Sequence, residues 1–214
     1  MAKTNGGAHY FKGIKVDREG RNPKVHGEIP GFPVGSSWPS RVECSQAGVH
    51  APLRAGIHGN ATDGAYSIVL SGGYEDDEDN GETITYTGQG GRDTKGTLTH
   101  QLQGKTVRRH RLVSLKDPYS TIHKLWEGAQ SADQEWVLGN RALKISCTTK
   151  NPVRVLRGFT LKSPYAPTEG YRYDGLYVVD DAWRAIGKTG YHTCRFIFRV
   201  CGLLIFRSAY QLKH

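Results

Sequence analysis

The chain has 214 residues, 37% of them hydrophobic, with 27 glycines, 9 prolines and a formal net charge of +9. That length suits one substantial domain and excludes two large ones. The lean, turn-rich composition argues for short strands and many loops over a helical bundle, and no apolar run approaches the roughly 20 residues that span a bilayer.

The charge is unevenly spread. Between positions 63 and 93, Asp63, Glu75, Asp76, Asp77, Glu78, Asp79, Glu82 and Asp93 stand against Arg92 alone, a net −7, so the rest of the chain carries +16. A protein that basic usually serves a polyanion, above all nucleic acid, whose condensed counterions are released when Lys and Arg neutralise phosphates. An acidic island in such a protein needs its own reason. The four cysteines form no CxxC pair and the amino terminus has no apolar signal run, so the expected compartment is reducing and intracellular, and the charge suits the nucleus.

Taken in order, residues 1–24 read as a basic flexible lead-in carrying Lys12, Lys15, Arg18 and Arg21. Pro30, Pro33 and Gly35 force turns, and a strand is expected around Trp38–Cys44. His50, His58 and Asp63 match no zinc spacing and read as structural residues, so no metal is assigned. Gly56, Gly59 and Gly64 permit either loop geometry or a close backbone approach to a ligand. The apolar, β-branched run Ala65–Leu70 predicts a buried strand.

The stretch from Gly96 to about Leu138 has little periodicity and contains the basic cluster VRRHR at Val107–Arg111. A loop this long is functional, disordered or extraneous. Gly139–Cys147 predicts a helix end or a strand, and Pro152–Leu156 and Tyr171–Val179 predict strands. In Gly190–Val200, Cys194, Phe196 and Phe198 alternate with Arg195, Ile197 and Arg199, the pattern of a strand with one core face.

PGFPVG (Pro30–Gly35), the long run Ala55–Asp93, GNRAL (Gly139–Leu143), PVRV (Pro152–Val155) and APTEGYRYDGLYVV (Ala166–Val179) occur in one order. Together they resemble the SET- and RING-associated domain, also called YDG after the motif Tyr173-Asp174-Gly175. The resemblance implies an α+β fold, a PUA-like twisted β-barrel flanked by short helices, over residues 25–199. It leaves a long insertion at about 100–137 and a tail at 200–214. Thr106–Glu127 then reads either as an insertion without structural role, such as translated intron, or as a DNA-gripping loop built on Arg108, Arg109 and Arg111.

The implied function is a non-enzymatic reader of 5-methylcytosine in double-stranded DNA, acting in nuclear chromatin with chromatin-modifying partners and no cofactor. The alternative is the recognition domain of a modification-dependent nuclease or ubiquitin-ligase system. An RNA-binding reading fits the charge but leaves the pocket residues unexplained.

Base flipping sacrifices stacking and pairing, and the receiving pocket must restore both. In the resemblance, Tyr74 and Tyr86 sandwich the flipped ring, and Asp77 accepts a hydrogen bond from the cytosine amino group, which thymine lacks. Thr87 completes the polar edge contacts, while Ser71 and Gly73 leave room for the 5-methyl group. Ser71 replaces an alanine of family members, and its hydroxyl is expected to alter discrimination among modified cytosines.

Arg54 stands where the family places a small apolar thumb residue, and is expected to contact DNA together with Gly56 and Arg92. Thr97, Leu98 and Thr99 occupy the finger where hemimethyl-preferring members carry Asn-Lys-Arg, so hemimethyl preference is not expected. An EF-hand reading of the acidic run fails, because its third position is Glu78 and its twelfth is Thr87 instead of glutamate. The remaining acids, Glu75, Asp76, Glu78 and Asp79, read as a solvated turn.

Overall fold

Two strands are buried along their whole length, β3 (Gly64–Leu70) and β6 (Val153–Gly158). Their near-continuous apolar text has a simple cause: they pair in parallel, Ile68 with Val155 and Leu70 with Arg157, and both faces of the pair are covered, as parallel pairs require. The computed structural model describes residues 16–92 and 130–202.

The remaining elements are β1 (Ser37–Trp38), α1 (Arg41–Gln46), β2 (Ile57–Asn60), β4 (Glu78–Asp79), β5 (Thr83–Thr87), α2 (Leu138–Thr149), β7 (Tyr171–Ile186) and β8 (His192–Val200). The strands form one mixed sheet in the order β2-β3-β6-β7-β8-β5-β4, with β1 added to β7. Long β7 pairs with β6 through its first half and with β8 through its second, and bulges between Val179 and Asp181.

The expected closed barrel is corrected here: the hydrogen-bonded path is open, and β2 and β4 at its ends do not pair among the described residues. Instead α2 packs on β2 and β3, covering that end of the sheet, while two-residue β4 is too short to extend the other. Among the described residues the architecture is mostly β with two helices.

One core lies between the sheet and α2, built from Ile68, Leu70, Ile84, Leu143, Val155, Phe196 and Phe198. A second occupies the opposite face, where Ile29, Cys44, Val49, Val69, Leu156 and Tyr173 meet. Alternate residues of β3 thus serve different cores, as a pleated strand dictates. The alternation predicted for β8 holds, with Cys194, Phe196 and Phe198 buried.

The strand expected at Trp38–Cys44 is also corrected. Only Ser37 and Trp38 are extended; after Pro39, Ser40 caps α1 by accepting from the Val42 N–H at 3.2 Å and bonding the Glu43 carboxylate. The pattern Ser40-x-x-Glu43 is a capping box, and it overrides the β-branched text that follows. The ambiguous Gly139–Cys147 run is helical, with Lys150 ending α2 in the left-handed region at φ 55° and donating to the Val179 and Asp180 carbonyls.

Gln130 bridges to Arg92, and Trp136 packs against Phe196. At the other end Val200 closes β8 and the Cys201 N–H donates to the Leu176 carbonyl. No helix among the described residues is long and apolar enough to cross a membrane.

Candidate modified-base pocket

β3 runs out into residues 71–77, and β4 and β5 return, so that the acidic island follows β3 and leads into β5. Its three central acids have three different fates. Asp79 is buried against Arg157, whose guanidinium meets both carboxylate oxygens at 2.7 and 2.9 Å, and Ser163 adds a bond at 2.6 Å. Burial opposes ionisation there, but the Arg157 pair holds Asp79 below the usual carboxylate range.

Arg157 in turn bonds Asp174, at 2.9 Å, and the Gly81 carbonyl, at 2.9 Å. The YDG aspartate therefore belongs to a buried ion cluster that fastens the β4–β5 turn to β6 and β7. Asp76 turns the other way: it pairs with Arg195 on β8 at 3.0 Å and accepts from the Lys188 N–H at 3.2 Å. These two acids do not form the solvated turn that their sequence suggests.

Asp77, between them, pairs with no cation among the described residues. Its Oδ1 accepts the Thr87 backbone N–H at 2.8 Å, and its own N–H donates to the Tyr74 carbonyl at 3.3 Å. Burial raises its pKa to about 6, against the opposing pull of those N–H contacts and with some help from the neighbouring Asp76 charge. The Thr87 hydroxyl is buried beside the Asp77 carboxylate and helps hold its charged form, while no well-formed hydrogen bond closes on it among the described residues. A buried hydroxyl without a well-formed hydrogen bond, beside a carboxylate that has no cation, is costly unless something else completes them.

The two tyrosines flank these polar groups. Tyr86, on β5, is buried with its ring edge-on to Phe198 at 5.9 Å, and burial raises its pKa. Its hydroxyl sits over Gly56, where an added Cβ would lie 2.6 Å from that oxygen; glycine is required there for contact. Tyr74, half-buried, donates to the Gly90 carbonyl at 3.3 Å. Arg92 lies over its ring at 4.1 Å and bonds the Gly73 carbonyl. No ring contact joins Tyr74 to Tyr86 among the described residues.

Two buried amides hold the exit of β5. Gln134 donates to the Gly88 carbonyl at 2.7 Å and accepts from the Cys194 N–H at 3.0 Å. Asn140 accepts from the Gln89 N–H at 2.8 Å and returns a bond to its carbonyl at 2.9 Å. Gly88 lets Asn140 approach this closely.

A model of the SAD/SRA domain matches residues 25–202. The chain belongs to the SAD/SRA domain family. It is 48% identical over 188 residues to a "UHRF1-like protein" of Cryptococcus neoformans, covering 87% of this chain and 48% of the relative. To rat "E3 ubiquitin-protein ligase UHRF1" it is 44% identical over 178 residues, covering 81% of this chain and 21% of the relative. The chain thus spans about half or less of these curated relatives.

Among solved structures, the SUVH5 SRA domain bound to fully methylated CG DNA superposes with a TM-score of 0.58 at 33% identity, covering 83% of this chain and 95% of that one. A "Modification dependent TagI restriction endonuclease" gives a TM-score of 0.66 at 37% identity, covering 83% and 53%.

Within this SAD/SRA domain, Asp77 bonds Thr87 and the Tyr74 carbonyl, Arg92 joins Tyr74 to Gly73, and Tyr86 lies on the same strand as Thr87. Ser71 stands beside them, but its hydroxyl lies 3.0 Å from where a Gly158 Cβ would sit, on the side of Tyr171, and its carbonyl accepts from Thr160 at 2.8 Å. Arg54 is exposed at the tip of the neighbouring loop. Thr97, Leu98, Thr99 and the VRRHR cluster lie outside the described residues. Sequence reasoning missed Arg157, Gln134 and Asn140; the signal for Asn140 was its place in the quoted GNRAL run.

Proposed function

We propose that the chain is a reader of modified cytosine in double-stranded DNA, receiving a flipped base between Tyr74 and Tyr86. The observation that supports this most is Asp77: of the three central aspartates Asp76, Asp77 and Asp79 it is the one left without a cation among the described residues, fixed by the Thr87 N–H beside the Thr87 hydroxyl. A carboxylate and a hydroxyl on one edge of a slot complement the amino donor and ring acceptor of cytosine, and aromatic faces replace lost stacking. Relatives solved with fully methylated, hemimethylated and hydroxymethylated CG DNA support the same ligand class.

On this reading Ser71 and Gly73 border the methyl group, and Arg54, Gly56 and Arg92 face the duplex, with Thr97, Leu98 and Thr99 as further contacts. The chain performs no chemistry itself and works in the nucleus, on chromatin. Residues 25–199 form the reader. Fluorescence anisotropy on one duplex carrying unmodified, hemimethylated, fully methylated or hydroxymethylated cytosine, at fixed salt, tests it. Preference for modified probes is expected; equal affinity for all four sinks it.

A second reading, the recognition part of a nuclease or ubiquitin-ligase system, is favoured by the similarity to the TagI endonuclease and the UHRF1 ligases. Magnesium-dependent cleavage of a modified probe would support the nuclease form.

A further inference from the structure

The loop 51–56 joins the end of the α1 region to β2. It carries exposed Arg54 at its tip and Gly56 beneath the Tyr86 hydroxyl. A loop on a surface is ordinarily mobile, since its backbone polar groups find water instead of protein. This one differs, because its carbonyls are taken one after another from below.

Ser45 donates to the Ala51 carbonyl at 2.7 Å. One terminal nitrogen of Arg41, Nη2, donates to the Pro52 carbonyl at 2.8 Å and to the Ala55 carbonyl at 2.6 Å, bracketing Leu53 and Arg54. His50 Nε2 reaches the same Ala55 carbonyl at 2.9 Å while its Nδ1 faces Ser67 Oγ, also at 2.9 Å. Since Ala55 O can only accept, His50 carries its proton on Nε2 and accepts from Ser67. The Gly56 carbonyl is claimed by the Val69 N–H at 2.8 Å.

Arg41 is only 8% exposed. Burial lowers its pKa, partly offset by Tyr171, over whose ring it lies at 5.7 Å, and by Tyr86. A guanidinium held in the interior against neutral carbonyls is an expensive way to close a loop. Its position explains the expense: it lies under the Arg54 loop, whose next glycine, Gly56, sits against the Tyr86 hydroxyl.

We infer that Arg41, assisted by Ser45 and His50, is a positioning residue that fixes the Arg54 loop against Tyr86, so that the group entering the duplex and the ring receiving the base are held at one distance. This rests on the reader function proposed above. The group that opens the duplex and the ring that captures the base must act on one nucleotide, and a loop free to drift by an ångström would separate the two events.

Two variants and two measurements test it. Arg41→Met keeps the stem against Tyr171 and removes the donors; Arg41→Lys restores charge and donors on a shorter stem. In the free protein, amide hydrogen exchange across residues 53–56 is expected to quicken about tenfold in Arg41→Met, as loss of about 1.4 kcal/mol of local protection implies. Arg41→Lys is expected to recover part of it, and β3 protection to stay unchanged.

On a modified duplex with 2-aminopurine beside the target cytosine, Arg41→Met is expected to abolish the fluorescence rise of flipping at saturating protein while unmodified duplex binds as before. Wild-type exchange rates at 53–56 in both variants overturn the inference. So does a uniform rise in exchange over the whole chain that also appears in the milder Ser45→Ala. If the native protein fails to discriminate modified DNA, the reader function falls, and the exchange result still judges the clamp by itself.

Discussion

Arg92 lies over Tyr74, 4.1 Å from the ring centroid, while its guanidinium bonds the carbonyl of the preceding Gly73. One residue predicted to touch DNA is thus also the support of the outer wall of the pocket. Lysine keeps the charge but cannot stack as a plane. Arg92→Lys is therefore expected to leave the salt dependence of DNA binding unchanged while lowering preference for the modified base about fivefold to tenfold, on the order of the 1–2 kcal/mol of a desolvated cation–π contact. Arg92→Ala should lose both. Salt titrations on modified and unmodified probes separate the two effects.

Asp77 gives a prediction in pH. Its folded pKa is raised to about 6 by burial, so at pH 7 it is a carboxylate able to accept from a cytosine amino group, and at pH 5 it is mostly a carboxylic acid. Affinity for modified duplex is expected to weaken as pH falls from 7 to 5, with unmodified duplex as the control. Stability runs oppositely: a raised carboxyl contributes stability below its ordinary value near 4, and this is lost as pH rises through about 6.

Asp77→Asn removes both dependences. The Thr87 N–H keeps the amide oxygen inward, so the NH₂ group would confront the cytosine amino group, donor against donor. The variant is expected to melt higher than the native protein at pH 7, by about 1 kcal/mol after allowance for solvent, and to lose discrimination by about tenfold to a hundredfold. Calorimetry at pH 5 and 7 with parallel anisotropy reads both.

The buried pair of Arg157 with Asp79 is a matter of folding. Removing one partner leaves an uncompensated charge, and Arg157→Met is expected to cost ~3–5 kcal/mol in urea unfolding. Because Asp79 is held below the usual carboxylate range, its contribution is present above the ordinary pKa and disappears as pH falls through the lowered one. A native-like midpoint for Arg157→Met would contradict this.

Gly56 makes the contact with Tyr86 testable by rescue. Gly56→Ala places a methyl 2.6 Å from the Tyr86 hydroxyl, whereas the next neighbours, Val69 O and Tyr86 Cζ, lie at 3.5 and 3.9 Å. The single variant is expected to lose modified-base binding, and Gly56→Ala with Tyr86→Phe to regain most of it. Absence of rescue would mean that the loop itself, and not the hydroxyl, was disturbed.

Much of this was readable from residue order. The alternation of Cys194, Phe196 and Phe198 marked β8, the apolar text of Ala65–Leu70 marked β3, and Tyr74, Asp77 and Tyr86 stood out because the resemblance supplied their chemistry. What was not readable depends on distance along the chain. Asp76 meets Arg195 across 119 residues and Asp79 meets Arg157 across 78, and no local pattern encodes such partners. Hence two of the three acids were read as solvated when they are paired. The α1 capping box was legible but outweighed by the aromatic and β-branched residues around it. The open sheet was not legible at all, since α2 covering β2 is a packing event between neighbours that a strand count does not register.

The division of labour among Asp76, Asp77 and Asp79 also bears on portability. A peptide of residues 72–92, or that stretch grafted onto another scaffold, would carry both tyrosines and the reading carboxylate. It would leave Arg195 and Arg157 behind, and the five consecutive carboxylates Glu75–Asp79 would repel one another into the solvent. The recognition segment is therefore not a module in its own right: any transplant must bring β6 and β8 with it, and variation in base preference must come from substitutions inside the loop, with its two ionic moorings kept intact.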